Sequence, residues 1–462
     1  MTVGDEILDL PAIELSERLA ARTLTSVDLT EGYLARIARM QPLLNCFVTV
    51  TPERARADAA RADAARAAGQ QGPLLGLPYG VKDIIDTAGI RTTWGTRAHL
   101  DRVPERDADV VARLTAAGAV LLGKLSTTEL ANTFGSNWPA DGLGGAHRNP
   151  WNRNLWAGGS SAGPGAAVAA GLCAFALGSE TWGSIDCPSA LNAVTGLRPT
   201  YDAVSRRGVM TVAWSLDKVG PMVRDARDAV MVLRALAQLP ISLERATAAG
   251  GAALRVGYID HVGFPSPDPA YDTAWAAAKD VLRASGVPMK PVTLPDTADE
   301  PAVFVTLVAE SLVAFEGFIR DGHAARMFDR ETWPEKIAWL DKLGMTASDY
   351  VKAQRVRAQV QRAYQAIFDE VDVLVGPGFP LLAPAVDAKL PSFEAKDTHF
   401  TLVTDGNAAG LPAVSLPMGF TASGLPLGMH VVAAGYRDED ALALAALFQA
   451  QTDHHRRRPP AA

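Results

Sequence analysis

Segments of helical period alternate with short β-branched runs along most of this chain, and that alternation restricts the fold more than any other feature. Leu8, Leu15, Leu19, Leu24, Val27, Leu34 and Ile37 mark two amphipathic segments, with Ser26 and Asp28 as the expected caps at the break between them. Residues 53–68 are rich in Ala and Arg and read as a polar-faced helix. A helix over 108–117 leads through Gly118 into a strand at 119–124, and 77–85 is a short extended run punctuated by Pro78 and Gly80. Further strands are expected at 174–177, 255–259, 371–375, 413–416 and 428–432. Helices and strands taking turns argue for an α/β fold built on a mainly parallel or mixed sheet. There is no internal repeat and no low-complexity linker. Residues 235–252 are a boundary candidate, but one large domain over 1–462 is expected, opening with a helical segment of about residues 1–70.

Composition excludes several function classes. Of 462 residues, 48% are apolar and 21% charged, which is globular rather than disordered. The formal net charge of −7 and the lack of any basic cluster beyond Arg456–Arg458 argue against nucleic acid or an anionic membrane as partner. Met1–Asp5 has neither a basic start nor an apolar run, and no uninterrupted apolar stretch is long enough to span a bilayer, so a soluble cytoplasmic protein is expected. Cys46, Cys173 and Cys187 are too scattered for a disulfide framework or a zinc site, and the histidines show no His-x-x-x-His spacing. No metal or cofactor is expected. A small molecule is the expected partner, and the sequence leaves the oligomeric state open.

Chemistry concentrates in two Ser/Gly loops, Gly158-Gly159-Ser160-Ser161-Ala162-Gly163 and Gly178-Ser179-Glu180-Thr181-Trp182-Gly183-Ser184-Ile185. Glycines leave backbone N–H groups bare and able to converge, as an oxyanion requires. The first loop closes a long aperiodic stretch, 135–165, of the kind that is usually functional. A serine hydroxyl needs a base, and neither loop holds a histidine. Lys82, framed by Pro and Gly in an apolar run, fits that task if burial depresses its pKa. Lys82 is then the base, one serine the relay and another the nucleophile. A rival reading takes Gly159–Gly163 as the G-x-S-x-G nucleophile elbow of an α/β-hydrolase, with Ser161 attacking and a histidine such as His430 as base. It leaves the second loop and Lys82 unexplained. Gly118–Lys124 mimics a phosphate-binding loop, but Leu125 stands where Ser or Thr should bind magnesium, so it reads as the end of a strand.

Gly80-Val81-Lys82-Asp83, Gly158-Gly159-Ser160-Ser161 and Gly183-Ser184-Ile185 together resemble the amidase signature family. The resemblance spans nearly the whole chain, taking in Leu121–Lys124, Arg148–Trp151, Gly196-Leu197-Arg198-Pro199-Thr200 and Gly410–Ser415. It implies a single α/β domain with a large mixed central sheet flanked by helices. It also implies that Ser184 is the acylated nucleophile, Ser160 the proton relay on a cis peptide bond, and Lys82 the neutral general base. Backbone N–H groups at Thr181, Trp182, Gly183 and Ser184 then form the oxyanion hole. The second loop departs from the family's pattern. Glu180 replaces an Asp, Trp182 a Gly, and Asp186 an Arg, so two acids stand where the family can pair an acid with a cation.

The resemblance implies hydrolysis of an amide, and of an ester or carbamate (urethane) in some members. Phe134, Gly135 and Ser136, together with Gly376–Pro380, suggest a pocket for a hydrophobic acyl group. The alternative is the glutamine-hydrolysing subunit of a tRNA-dependent amidotransferase, which Ser205–Val219 resembles. A non-catalytic binding protein on this scaffold would be favoured by a missing triad residue, and none is missing.

Overall fold

The computed structural model describes residues 3–132, 139, 141–238, 245–260, 268–295, 300–328, 344–379, 382–389 and 401–460. Eleven of its strands form one sheet: β1 (Phe47–Val50), β2 (Pro78–Lys82), β3 (Val120–Leu125), β6 (Phe175–Glu180), β7 (Thr195–Arg198), β8 (Lys218–Val223), β9 (Val256–Tyr258), β10 (Met289–Pro291), β11 (Val373–Pro377), β12 (Ala413–Phe420) and β13 (Pro426–Ala433). A separate hairpin pairs β4 (Arg148–Asn149) with β5 (Asn152–Trp156). The large sheet runs β1-β3-β2-β6-β8-β7-β12-β13-β11-β9-β10. It is mixed: β3, β2 and β6 are mutually parallel, the strands from β6 through β13 to β11 pair antiparallel, and β11, β9 and β10 are parallel again. Strands β2, β3, β6, β7 and β8 are buried along their whole length, so helices cover both faces of this half of the sheet. The expected α/β fold with a large mixed sheet is the one observed.

The parallel trio β3-β2-β6 carries the site. Register places Val81 beside Leu177, so the carboxyl ends of β2 and β6 lie together, and ligands of open α/β sheets bind at such ends. The helix Ala162–Ala169 follows the first Ser/Gly loop, and every residue in it is buried. Its small side chains let it sit against the sheet. A Cβ on Gly163 would lie 2.4 Å from the Ser126 nitrogen and 2.5 Å from the Cys46 oxygen.

Several expectations need correction. Thr25, not Ser26, caps the helix Ser26–Leu44, accepting from the Asp28 N–H at 3.0 Å. The N-terminal helices are followed within the first 70 residues by β1, which pairs antiparallel with β3. The hairpin of β4 and β5 lies inside the stretch read as a loop. Most of β5 is solvent-exposed and polar, so it gives no alternating pattern. Gly178, Ser179 and Glu180, read as loop, belong to β6 because they pair with Gly220, Val219 and Lys218 of β8. Among the described residues, no helix is long and apolar enough to cross a membrane.

Candidate functional site

Lys82 ends β2 with its side chain wholly buried. Its Nζ donates to Ser160 Oγ at 2.6 Å and to Ser179 Oγ at 2.9 Å. Burial pushes its pKa down to about 7, against an upward pull from the negative charges of Asp217 and Glu180. Ser160 is 2% exposed, follows a cis Gly159–Ser160 peptide, and accepts at its carbonyl from the Thr128 N–H at 3.3 Å. The Ser161 N–H donates to the Ser184 carbonyl at 3.2 Å, which ties the two Ser/Gly loops together. Ser184 itself is half-buried, so its side chain is reachable where Lys82 is not.

Segment 181–184 turns out of β6 and into the helix Asp186–Asn192. Gly183 lies at φ +82°, a conformation that costs glycine nothing. Among the described residues, no acceptor takes the backbone N–H groups of Trp182, Gly183 or Ser184. Glu180 staples the two ends of this segment. It ends β6, and its Oε2 accepts from the Ile185 N–H at 2.8 Å and the Asp186 N–H at 3.0 Å. Its Oε1 accepts from Arg198 at 2.9 Å and from Asn407 Nδ2 at 2.8 Å.

Arg198 supplies the cation that faces the two acids. From the end of β7 its Nη1 donates to Glu180 at 2.9 Å and to Asp186 Oδ2 at 3.1 Å, all three side chains being fully buried. Burial alone would raise Glu180, but the guanidinium of Arg198 and the ammonium of Lys218 hold it below the usual carboxylate range. Asp186 goes the other way, raised by burial and by the charge on Glu180. Arg198 thus favours the charged form of Glu180, while burial beside that charge disfavours the charged form of Asp186. Removing the cation leaves a buried carboxylate uncompensated, so Arg198→Met is expected to cost about 3–5 kcal/mol of stability, measured by urea unfolding. A loss under about 1 kcal/mol, the scale of an exposed pair, would contradict this reading of the network.

Trp182 is partly exposed and packs against a cluster that includes Trp156, Phe379 and Val403. Its Nε1 donates to Thr404 Oγ1 at 2.9 Å. A Cβ on Gly183 would lie 3.4 Å from Phe379 and 3.6 Å from Val403, so this aromatic wall stands directly beside the segment. Thr181 Oγ1 donates to Asp217 at 2.6 Å, and Asp217 also accepts from the Val212 and Ala213 N–H groups at 2.8 and 3.1 Å. Phe134, Gly135 and Ser136 lie outside the described residues, as does Pro380.

The elbow reading does not fit this arrangement. The Ser161 hydroxyl is fully buried, donates to the Ser179 carbonyl at 3.1 Å and accepts from the Ser179 N–H at 3.2 Å. His430 is buried on β13 with its pKa driven down to about 3 by burial, and its Nδ1 lies 3.7 Å from Asp186. Lys124 belongs to β3, donates to Thr92 Oγ1 at 2.6 Å and faces Asp83 at 3.8 Å, which is a buried structural pair. Among the described residues, no group of three His, Cys, Asp or Glu side chains is placed to hold a metal, and the three cysteines are free and buried.

Ser179, Arg198, Asp217 and Asn407 were not singled out by sequence. Ser179 carried the strongest signal, being a serine inside the second Ser/Gly loop. Arg198 and Asp217 sat within noted motifs without a role. Nothing in the sequence marked Asn407.

The family model described as Amidase matches residues 28–442. One of the subunits of a glutamyl-tRNA(Gln) amidotransferase, from Roseiflexus sp. (strain RS-1), is 38% identical, with 96% of each chain covered. Among solved structures, a chain from a vestigial protein complex described as revealing the evolutionary origins of an s-triazine catabolic enzyme is 30% identical, with a TM-score of 0.85 and coverage of 96% of this chain and 98% of that one. The peptide amidase of Stenotrophomonas maltophilia is 28% identical, with a TM-score of 0.80 and 98% of each chain covered. The chain belongs to the amidase signature family and is an enzyme that acts on C–N bonds.

Proposed function

We propose that the chain hydrolyses an amide through an acyl-enzyme on Ser184, with Ser160 as proton relay and Lys82 as general base. The observation that supports this most is the 2.6 Å hydrogen bond from a wholly buried Lys82 to Ser160, together with a pKa brought down to about 7. A neutral amine there takes a proton from Ser160 as Ser160 takes one from Ser184. The backbone N–H groups of Thr181, Trp182, Gly183 and Ser184 receive the oxyanion. Ser160 then returns its proton to the departing nitrogen, and water hydrolyses the acyl-enzyme. Esters and carbamates present the same carbonyl to the same groups.

For the acyl donor, the curated relatives weigh toward glutamine. The Roseiflexus protein is matched over 96% of both chains, and its name makes it part of an amidotransferase for glutamyl-tRNA(Gln). This support favours the amidotransferase alternative over a stand-alone small-molecule amidase. It also runs against the expectation of no nucleic acid, since partner proteins and a tRNA belong to that role. A cytoplasmic location suits both roles. The second reading, an apolar acyl group, is favoured by Trp182, Phe379 and Val403 beside Gly183. A hydrolysis panel of glutamine against an anilide, an ester and a carbamate decides between them. If Trp182 lines the acyl pocket, Trp182→Gly is expected to shift preference within that panel by about 1–3 kcal/mol. An equal loss on every substrate would mean that Trp182 only supports the loop.

A further inference from the structure

Antiparallel pairing brings the residue before β8 against the head of the nucleophile segment. Ser179 pairs with Val219 and Glu180 with Lys218, so the next step along both strands sets Thr181 opposite Asp217. Thr181 Oγ1 donates to Asp217 Oδ1 at 2.6 Å. Asp217 also accepts from the Val212 N–H at 2.8 Å and the Ala213 N–H at 3.1 Å. Both of its oxygens are thus taken by donors, which is the pattern of an ionised carboxylate. Burial raises the Asp217 pKa, and these three donors and the charge on Lys218 oppose that rise.

The same carboxylate bears on Lys82. The lysine donates to Ser179 Oγ at 2.9 Å, and Ser179 and Asp217 belong to the wall of one cavity of about 510 Å³. Of the charges that face Lys82, Asp217 exerts the largest upward pull, followed by Glu180. Glu180 is matched by Arg198 at 2.9 Å, and Asp83, next to Lys82 in the chain, faces Lys124 at 3.8 Å. Lys218, the cation beside Asp217, donates instead to Asn407 Oδ1 at 2.5 Å.

We propose that Asp217 is a positioning residue that acts on both halves of the machinery, holding Thr181 at the head of the oxyanion segment and presenting a fixed negative charge to Lys82. The proposal rests on the acyl-enzyme reading above, with Lys82 as base, and adds the residue that tunes it. Its two arms are separable. The hydrogen bond fixes the Thr181 backbone, and with it the place of the oxyanion donors. The charge favours the protonated lysine, so its loss lowers the pKa of Lys82 further. The limb of the pH profile then moves to lower pH, and the weaker base gives a lower plateau.

The test is kcat and KM on one amide across a range of pH on both sides of 7, for the wild type and four variants. The wild-type limb is expected at about 7. Asp217→Asn is expected to move its midpoint down by about half a pH unit or more. An amide there turns a donor toward the Val212 or Ala213 N–H, so Asp217→Ala is the second variant, with the same expected direction. Thr181→Val keeps the charge and removes the hydrogen bond. It is expected to lower kcat by about 10-fold or more with the limb still present, while Thr181→Ser, which keeps the hydroxyl, recovers most of that loss. A merely structural role would lower activity without moving the midpoint. A limb that depends on Lys82 but stays in place in every folded Asp217 variant would therefore overturn the proposal alone, as would equal damage from Thr181→Ser and Thr181→Val. A limb absent from the wild type, or retained in Lys82→Ala, would mean that the base reading has failed and the proposal with it.

Discussion

Turnover of an amide by the Lys82→Ala variant is expected to fall by about 10²–10⁴-fold, the range of general acid–base catalysis. In the wild type the rate should rise with pH through about 7, where Lys82 loses its proton, and level off above it. The variant should lose that limb. Lys82→Arg should be nearly as damaging, because a guanidinium keeps its proton. The loss should be larger on an amide than on a matched activated ester, whose leaving group needs the returned proton less. Equal losses would remove Lys82 from leaving-group protonation, and an unchanged pH profile would remove it from the mechanism.

The same burial carries a stability cost with a defined pH window. A lysine in the unfolded chain titrates near about 10.4, and the folded one near about 7. Between those values the unfolded state binds the proton that the folded state lacks, so wild-type stability rises with pH through this window. Below about 7 the cost is complete, and at roughly 1.4 kcal/mol per unit it amounts to a few kcal/mol. Lys82→Met keeps the volume and omits the charge. Relative to the wild type it should therefore melt higher at pH 7 than at pH 10, which thermal denaturation at the two pH values checks. A constant difference in melting temperature would contradict the pKa assigned to Lys82.

Ser184→Ala is expected to abolish turnover with the fold unchanged. The Ser184 side chain is half-buried, whereas its backbone carbonyl accepts from Ser161 and its N–H stays in place. Loss of the hydroxyl therefore removes the proposed nucleophile and leaves the loop contacts intact. Circular dichroism and melting temperature should match the wild type while steady-state hydrolysis disappears. Residual turnover within about tenfold of the wild type would contradict the assignment, since loss of a nucleophile costs far more.

The parts of this site that sequence exposed are those whose residue types are rare in their setting. Lysine in an apolar Pro/Gly-framed strand and paired Ser/Gly loops stand out without a structure. The supporting shell did not, because its partners meet across strands. Glu180 on β6 and Asp186 beyond it reach Arg198 on β7, and Asn407 joins them from 227 residues beyond Glu180. Read in sequence, two acids near the nucleophile look like a defect. In space, Arg198 stabilises the charge on Glu180, and burial beside that charge raises the pKa of Asp186.

Fold legibility divides along the same line. Strands with β-branched or leucine-rich runs, such as β3 and β13, were found. β8 was missed because Lys218, Gly220 and Pro221 interrupt its apolar pattern, although all six of its residues are buried. β1 was missed because it is four residues long and follows a helix ended by the left-handed Asn45.

The central claim is a covalent acyl group on Ser184, and trapping it is the most direct test. The wild type is treated with a serine-directed acylating inhibitor, digested and mapped by mass spectrometry. One adduct on the peptide carrying Ser184 is predicted, absent from Ser184→Ala and slowed in Lys82→Ala. An adduct on Ser161 instead, or an undiminished adduct in Ser184→Ala, would contradict the account.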